Sequence, residues 1–320
     1  MTDLLYAFGI TFPIVLTAGL GWVARHLFRF PENSELVLTR YVVYLSGPAS
    51  LIVAVAESKL QDLLNPKLVL ATIIAYALAF VGVLLVHRLA LRRSLGDSAF
   101  AGFVVAKFNL IIIGLPLVFS VAGAKGTPSL VINAFISYLV LTPLVLFLHG
   151  MSGGKGADSA GPARAALNGV KETITNPLII GSLLGLLVLL LGAKIPAILD
   201  APLKMIGKSV VPVGLVAVGL SIRQIKPEEW GLEIWLMSLA KVLVVPVIAV
   251  GLALLLDLDP DSAVSLVLLF CTPSAVVAYA LAREVDAYAR ESGEIVVLTT
   301  ILGAIGIPLT AYVCQLIWGI

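Results

Sequence analysis

The chain has 320 residues, 60% of them hydrophobic and 12% charged, with a mean hydropathy of +1.07. Soluble domains carry about 45–50% apolar and about 25% charged residues, so the composition excludes a soluble protein and predicts an all-α membrane protein. A net charge of +2 argues against a nucleic-acid partner, and the two cysteines, Cys271 and Cys314, sit in apolar runs without metal-ligand spacing.

A helix needs roughly 20 apolar residues to cross the hydrocarbon core. In chain order, ten runs meet that need, near 4–27, 36–56, 67–90, 97–120, 128–149, 173–192, 199–222, 232–256, 261–282 and 294–318. The first starts directly behind Met1-Thr2-Asp3 and is too long for the apolar region of a cleavable signal. The second carries Ser46 and Pro48. The fourth, seventh and ninth are less continuous than the rest. Between the fifth and sixth lies a Gly/Ser-rich stretch, and residues 150–172 read as a flexible linker between two five-span halves, 1–149 and 173–320.

Basic residues orient the chain. Arg25, Arg29, Arg88, Arg92, Arg93, Lys155, Arg164, Lys171, Arg223, Lys226, Arg283 and Arg290 fall in the odd-numbered loops, and only Lys59, Lys67, Lys125 and Lys194 in the even-numbered ones. This bias predicts cytoplasmic odd loops and both termini outside. His26, His87 and His149 all fall at cytoplasmic span ends, where placement at the interface is the expectation rather than a proton relay.

Prolines suggest a repeat. Pro13 and Pro177 are 164 residues apart, Pro48 and Pro212 also 164, Pro143 and Pro308 165, and Pro116 and Pro273 157. Five spans per half reverse the direction of entry, so the pattern predicts two inverted five-helix repeats. In such repeats the site lies where corresponding helices are broken and cross near the midplane. Pro116, beside Gly114, and Pro273, between Thr272 and Ser274, mark the expected breaks in the fourth and ninth spans. Half-helices starting after these prolines would aim positive N-terminal ends at the crossing.

The charges choose the sign of the solute. None of the 19 acidic residues lies mid-span, whereas Lys107 is about ten residues, or about 15 Å, into the fourth span. Lys241 is similarly deep in the eighth. Lys204 and Lys208 lie near the outer end of the seventh, within reach of the interface. A mid-bilayer ammonium must face protein or water. Lys107 therefore either meets a ligand or satisfies carbonyls freed by the break, and for Lys241 the structural role is the expectation. With Asn109, Thr272 and Ser274 as neutral partners, the set suits a small organic anion, bound without metal or organic cofactor. The coupling ion is left open. A cation antiporter would need a carboxylate deeper than the sequence suggests. An intramembrane hydrolase would need a catalytic arrangement within the spans that is absent here, and a sensor would usually carry a soluble domain.

Several stretches also resemble a known family. Asn109-x-x-x-x-Gly114-x-Pro116-Leu117, Tyr44-Leu45-Ser46-Gly47-Pro48-Ala49, Thr175-Asn176-Pro177, Gly214-Leu215-Val216-Ala217-Val218-Gly219-Leu220-Ser221 and Thr272-Pro273-Ser274-Ala275 are similar, in order and spacing, to motifs of the auxin efflux carriers. That family includes bacterial malate and malonate permeases. The resemblance covers nearly the whole chain. It implies a fold related to bile acid:sodium symporters and sodium/proton antiporters, with the fourth and ninth spans crossing near a substrate held by Asn109. It also implies a scaffold of spans 1, 2, 6 and 7, a transport unit of spans 3–5 and 8–10, and homodimers formed through the scaffold. Lys107, Leu110 and Ile111 depart from the motif. The expectation is a secondary transporter of mono- or dicarboxylates in the inner cell membrane, working by an elevator mechanism.

Overall fold

The computed structural model describes residues 2–28, 30–31, 34–152, 167, 175–221 and 230–319. Most of the expected linker lies outside these residues, as do Arg29, Lys155, Arg164, Lys171, Arg223 and Lys226 of the orienting charges. The regular elements among the described residues are helices, joined at one place by a single antiparallel bridge.

The helices are α1 (Thr2–Leu27), α2 (Ser34–Tyr41), α3 (Gly47–Ala56), the short α4 (Leu60–Leu63), α5 (Pro66–Leu85), α6 (Leu95–Ala106), α7 (Leu115–Ala122), α8 (Thr127–Ile136) and α9 (Thr142–Met151). They continue as α10 (Pro177–Leu190), α11 (Ala197–Lys208), α12 (Val210–Ser221), α13 (Leu232–Leu239), α14 (Val245–Leu255), α15 (Pro260–Cys271), α16 (Val276–Glu284) and α17 (Ala289–Trp318). Among the described residues, six continuous helical runs are long and apolar enough to cross a membrane: Ser34–Ala56, Leu60–Ala90, Leu110–Met151, Ala197–Leu220, Leu232–Leu255 and Ala289–Trp318. Ten were expected. The difference has a local cause in the fourth and ninth spans, because each is cut into halves too short to cross alone, and α6 and α15 are each 12 residues long.

Four wide π-turns accommodate four of the 17 prolines. Val42–Ser46, Leu110–Gly114, Ser137–Leu141 and Ala240–Val244 each run into an α-segment whose second residue is proline: Pro48, Pro116, Pro143 and Pro246. A proline ring clashes with the carbonyl one turn back and offers no N–H. The wider turn bonds over five residues, as in Gly47 N–H to Val42 O and Leu115 N–H to Leu110 O, and makes room for the ring. These prolines therefore widen helices without breaking them, which corrects the expectation of a break at Pro116.

Small residues set the closest helix contacts. α3 packs on α10 and α11, and α1 on α12. A Cβ on Gly185 would stand 2.7 Å from the Ile52 carbonyl, so that contact admits only hydrogen. α5 packs on α6 and α14, and α17 on α15 and α16. α1 also reaches α17.

Of the three histidines, His87 is fully buried, His149 is 5% exposed and His26 is exposed. His149 packs edge-on against Phe100. His87, Tyr288 and Arg93 converge on Glu233 at 3.2, 2.6 and 2.8 Å, tying the end of α5 to the starts of α13 and α17. The hydrogen bond to Glu233 holds the Arg93 guanidinium above its usual range. Lys204 pairs with Glu57 and Asp200. Both cysteines are buried and free of a disulfide, and Cys271 Sγ donates to Leu268 O at 3.2 Å.

Candidate functional site

The fourth span is interrupted at Lys107-Phe108-Asn109. Ser94 caps the start of α6 by accepting from Asp97 N–H, and twelve residues later the helix ends at Lys107, whose backbone is extended. The helix resumes at Leu110 because Asn109 caps the new start, its Oδ1 accepting from Ile112 N–H at 3.2 Å. The ninth span does the same. Asp259 caps α15 through Ser262 N–H. The helix ends at Cys271, Thr272 and Ala275 are extended, and α16 starts at Val276.

The interruptions lie against each other. Asn109 N–H donates to Pro273 O at 2.8 Å, Ala275 N–H donates to Lys107 O at 2.9 Å, and Phe108 and Ser274 form the antiparallel bridge. Ser274 N–H donates to Thr299 Oγ1 on α17, and Thr272 Oγ1 donates to Leu269 O. Open backbone in lipid costs several kcal/mol per unsatisfied group, and here the crossing supplies the partners. Phe108 stacks with Tyr76 and Phe270 at ring distances of 5.6 and 5.0 Å, closing one flank of the crossing.

Lys107 is 2% exposed. Its ammonium donates to Ser137 Oγ at 2.8 Å and Thr142 Oγ1 at 3.3 Å, and lies 4.0 Å from the centre of the Tyr138 ring. Lys241, fully buried, reaches Phe270 O at 3.4 Å, at the negative end of α15. Neither lysine has an ion-pair partner among the described residues, and no Asp or Glu is among the buried residues.

A cavity of about 120 Å³ adjoins the crossing. It is lined by Lys107, Phe108 and Asn109 of the fourth-span interruption and by Leu110, Ile111 and Ile112 after it. Ser137 and Tyr138 join from the fifth span, Ala275, Val276, Val277 and Ala280 from the ninth, and Thr39 and Val43 from the second.

Of the residues singled out in the sequence, Lys107 and Asn109 line the cavity. Thr272, Pro273 and Ser274 are buried within the crossing behind it. Gly114 has a packing role, since a Cβ there would stand 2.9 Å from Leu269 Cδ2 and 3.1 Å from Asn109 O. Pro116 follows a π-turn seven residues beyond the break. Ser46 and Pro48 point elsewhere: Ser46 is fully buried and Pro48 lies against Gly181, while Thr39 and Val43 of the same span take the cavity wall. Lys241 is not in the lining. Ser137 and Tyr138 were missed. Their signal is a polar pair in an apolar span six and five residues before Pro143, on the π-turn that precedes this proline.

A buried cavity with a single ammonium, walled by helices that span an apolar bundle, belongs to a protein that passes solutes; the class is a multi-pass membrane transporter. Residues 6–311 match the family described as "Membrane transport protein", and the chain belongs to that family, the one its motifs resemble. It is 22% identical over 319 residues to "Uncharacterized transporter YfdV" of Escherichia coli K12, covering 98% of this chain and 99% of the relative. It is 21% identical over 298 residues to "Putative malonate transporter" of Rhizobium meliloti, covering 92% and 91%. An "Uncharacterized transporter" of Methanothermobacter thermautotrophicus is 24% identical over 296 residues, covering 92% and 94%.

Proposed function

We propose that the protein is a secondary active transporter of small organic anions, mono- or dicarboxylates, that works by elevator-type alternating access. The observation that carries this reading is the buried Lys107 side chain in the cavity wall, with no buried carboxylate among the described residues. The hydroxyls and the ring that hold the Lys107 amine leave it without a counter-ion of its own, so an anionic guest would supply one. Asn109 Oδ1 is engaged as a cap, so its amide N–H₂ is the group that donates to the guest. The first turn of α16 has no side-chain cap, which leaves the amides of Val276 and Val277 to face a carboxylate. The name of the Rhizobium meliloti relative fits a carboxylate solute. A sodium/proton antiporter of the same fold is disfavoured by the lack of a buried acid among the described residues.

The inverted repeat is supported by a recurring interval. Ser94 and Asp259, the caps of α6 and α15, are 165 residues apart, as are Lys107 and Thr272, and Asn109 and Ser274. Packing of α3 with α10 and α11, and of α1 with α12, supports a scaffold of spans 1, 2, 6 and 7, against which the crossing and the remaining spans move as a unit. The odd loops are cytoplasmic and the termini outside. The protein sits in the inner cell membrane as a homodimer joined through the scaffold. Lys107 has two roles open to it: pairing with the carboxylate, or standing in for a coupling cation.

The test uses purified protein in proteoliposomes on a solid-supported membrane. Organic-acid jumps evoke currents or uptake, sodium or pH jumps alone evoke none, and Lys107→Ala loses the response. Responses to sodium or pH without an organic acid overturn the anion reading. Uptake that stays sodium-independent in Lys107→Ala overturns the cation-substitute role.

A further inference from the structure

The outer side of the third span ends in charge. Leu78, Val81, Leu85 and Leu89 recur at intervals of three and four residues and are all exposed, Leu89 to 72%, so they form one apolar stripe along the helix. Arg88 and Arg92, three and seven residues after Leu85, are exposed and continue that stripe. The helix closes with a π-turn, Val86–Ala90. Arg92 takes the left-handed position after it, with φ 52°, while Arg93 N–H donates back to His87 O at 3.2 Å. Glycine is the residue favoured at such a position, because a side chain there is strained. Strain of this kind persists where the side chain has a task. Among the described residues Arg92 has no carboxylate or hydrogen-bond partner, so that task lies outside the chain. Arg88 uses one N–H on Arg93 O at 2.7 Å, and its other donors stay open to the surface. Arg93 itself is held by Glu233. Trp230 and Trp235, flanking Glu233 in sequence, pack edge to face at 6.0 Å, and indole rings gather at the level of lipid headgroups.

We propose that Arg88 and Arg92 bind the phosphodiester of an anionic phospholipid, whose acyl chains lie along Leu78, Val81, Leu85 and Leu89. This goes beyond the transport reading and does not depend on it. In the orientation that the basic loops predict, the lipid belongs to the cytoplasmic leaflet. Guanidinium and phosphate match in shape as well as charge. A zwitterionic headgroup fits less well, because its ammonium finds no free acid nearby. Glu233 is engaged by Arg93 and Tyr288, and Asp97 by Ser94. A free phosphate could meet the arginines but would leave the apolar stripe unused.

The test titrates the full chain, in a neutral detergent, with short-chain phosphatidylglycerol, and reads the melting temperature. Phosphatidylcholine of the same chain length and inorganic phosphate are the parallel arms. Phosphatidylglycerol is expected to raise the melting temperature with an apparent Kd at least tenfold below that of phosphatidylcholine, and inorganic phosphate at the same concentration to leave it unchanged. Arg92→Gly suits the left-handed backbone, so the unliganded melting temperature should hold while phosphatidylglycerol affinity falls at least fivefold. Adding Arg88→Gln should bring the loss to at least tenfold. Lys125→Gln, a charge removed from the opposite end of the bundle, should keep wild-type affinity. Equal shifts with phosphatidylcholine overturn the anionic site, and equal shifts with inorganic phosphate overturn a lipid as its occupant. Unchanged affinity in the double variant, or an equal loss in Lys125→Gln, removes the site from these arginines.

Discussion

The two interruptions occupy corresponding positions, 165 residues apart, yet their chemistry is opposite. The first is self-sufficient. Asn109 caps the helix that follows it, and Lys107 brings its own cation and its own hydroxyl partners. The second is incomplete. Thr272 turns back on its own helix, Pro273 has no N–H, and Ala275 offers α16 no side-chain cap. Duplicated geometry thus carries a division of labour: one arm presents a charge, and the other presents amides with nothing of their own to bind.

That contrast can be broken most severely at Lys107. Lys107→Gln, one atom shorter, keeps a polar hydrogen-bonding end but removes the ammonium. Losing a charge-assisted contact of about 1.5–3 kcal/mol lowers affinity by about 10- to 100-fold, measurable as the concentration giving half-maximal uptake. Completing the second arm is the next largest change. Ala275→Ser supplies the cap that α16 lacks, so the protein should gain about 1 kcal/mol of stability while transport falls about tenfold, because the hydroxyl competes for the anion's amides. A rise in melting temperature without loss of uptake would remove α16 from the site. Asn109→Asp sharpens the first arm. The acceptor that caps Ile112 is retained, but its charge lies near Lys107, so stability should hold while anion binding drops about tenfold.

The prolines give a smaller, comparative effect. Pro273 lies in a break and Pro116 behind a π-turn, so uptake by Pro273→Ala should fall several-fold further than uptake by Pro116→Ala, measured side by side. Equal effects would restore Pro116 to the crossing. The smallest effect is expected at Lys241, whose ammonium caps α15 and lies outside the cavity wall. Replacing a buried ion by a long apolar side chain is often neutral in stability, so Lys241→Met should leave uptake within about threefold of wild type.

Much of this was legible in the sequence, and the errors have physical causes. Composition gave the membrane class, mid-span Lys107 gave the site's charge, and Asn109 was identified before its role as a cap was visible. The fourth-span break was displaced to Pro116 because proline is the obvious helix breaker, and a π-turn that relieves it leaves no mark in hydropathy. The interval itself held a clue: 157 between Pro116 and Pro273 differed from the 164, 164 and 165 of the other pairs. Taking 165 back from Ser274 leads to Asn109. Thr39, Val43, Val276 and Val277 were not legible at all. They are ordinary apolar-span residues whose place in the wall depends on how separate helices pack.

The mutual bonds Asn109 N–H to Pro273 O and Lys107 O to Ala275 N–H have a mechanical consequence. Each rod is stitched to the other at the point where its own winding stops, so neither can slide or tilt alone without tearing the stitch. The amide protons of Asn109 and Ala275, though they belong to no helix, should exchange with deuterated solvent as slowly as those in the middle of α5, and the pair should travel as one piece whenever the bundle rearranges.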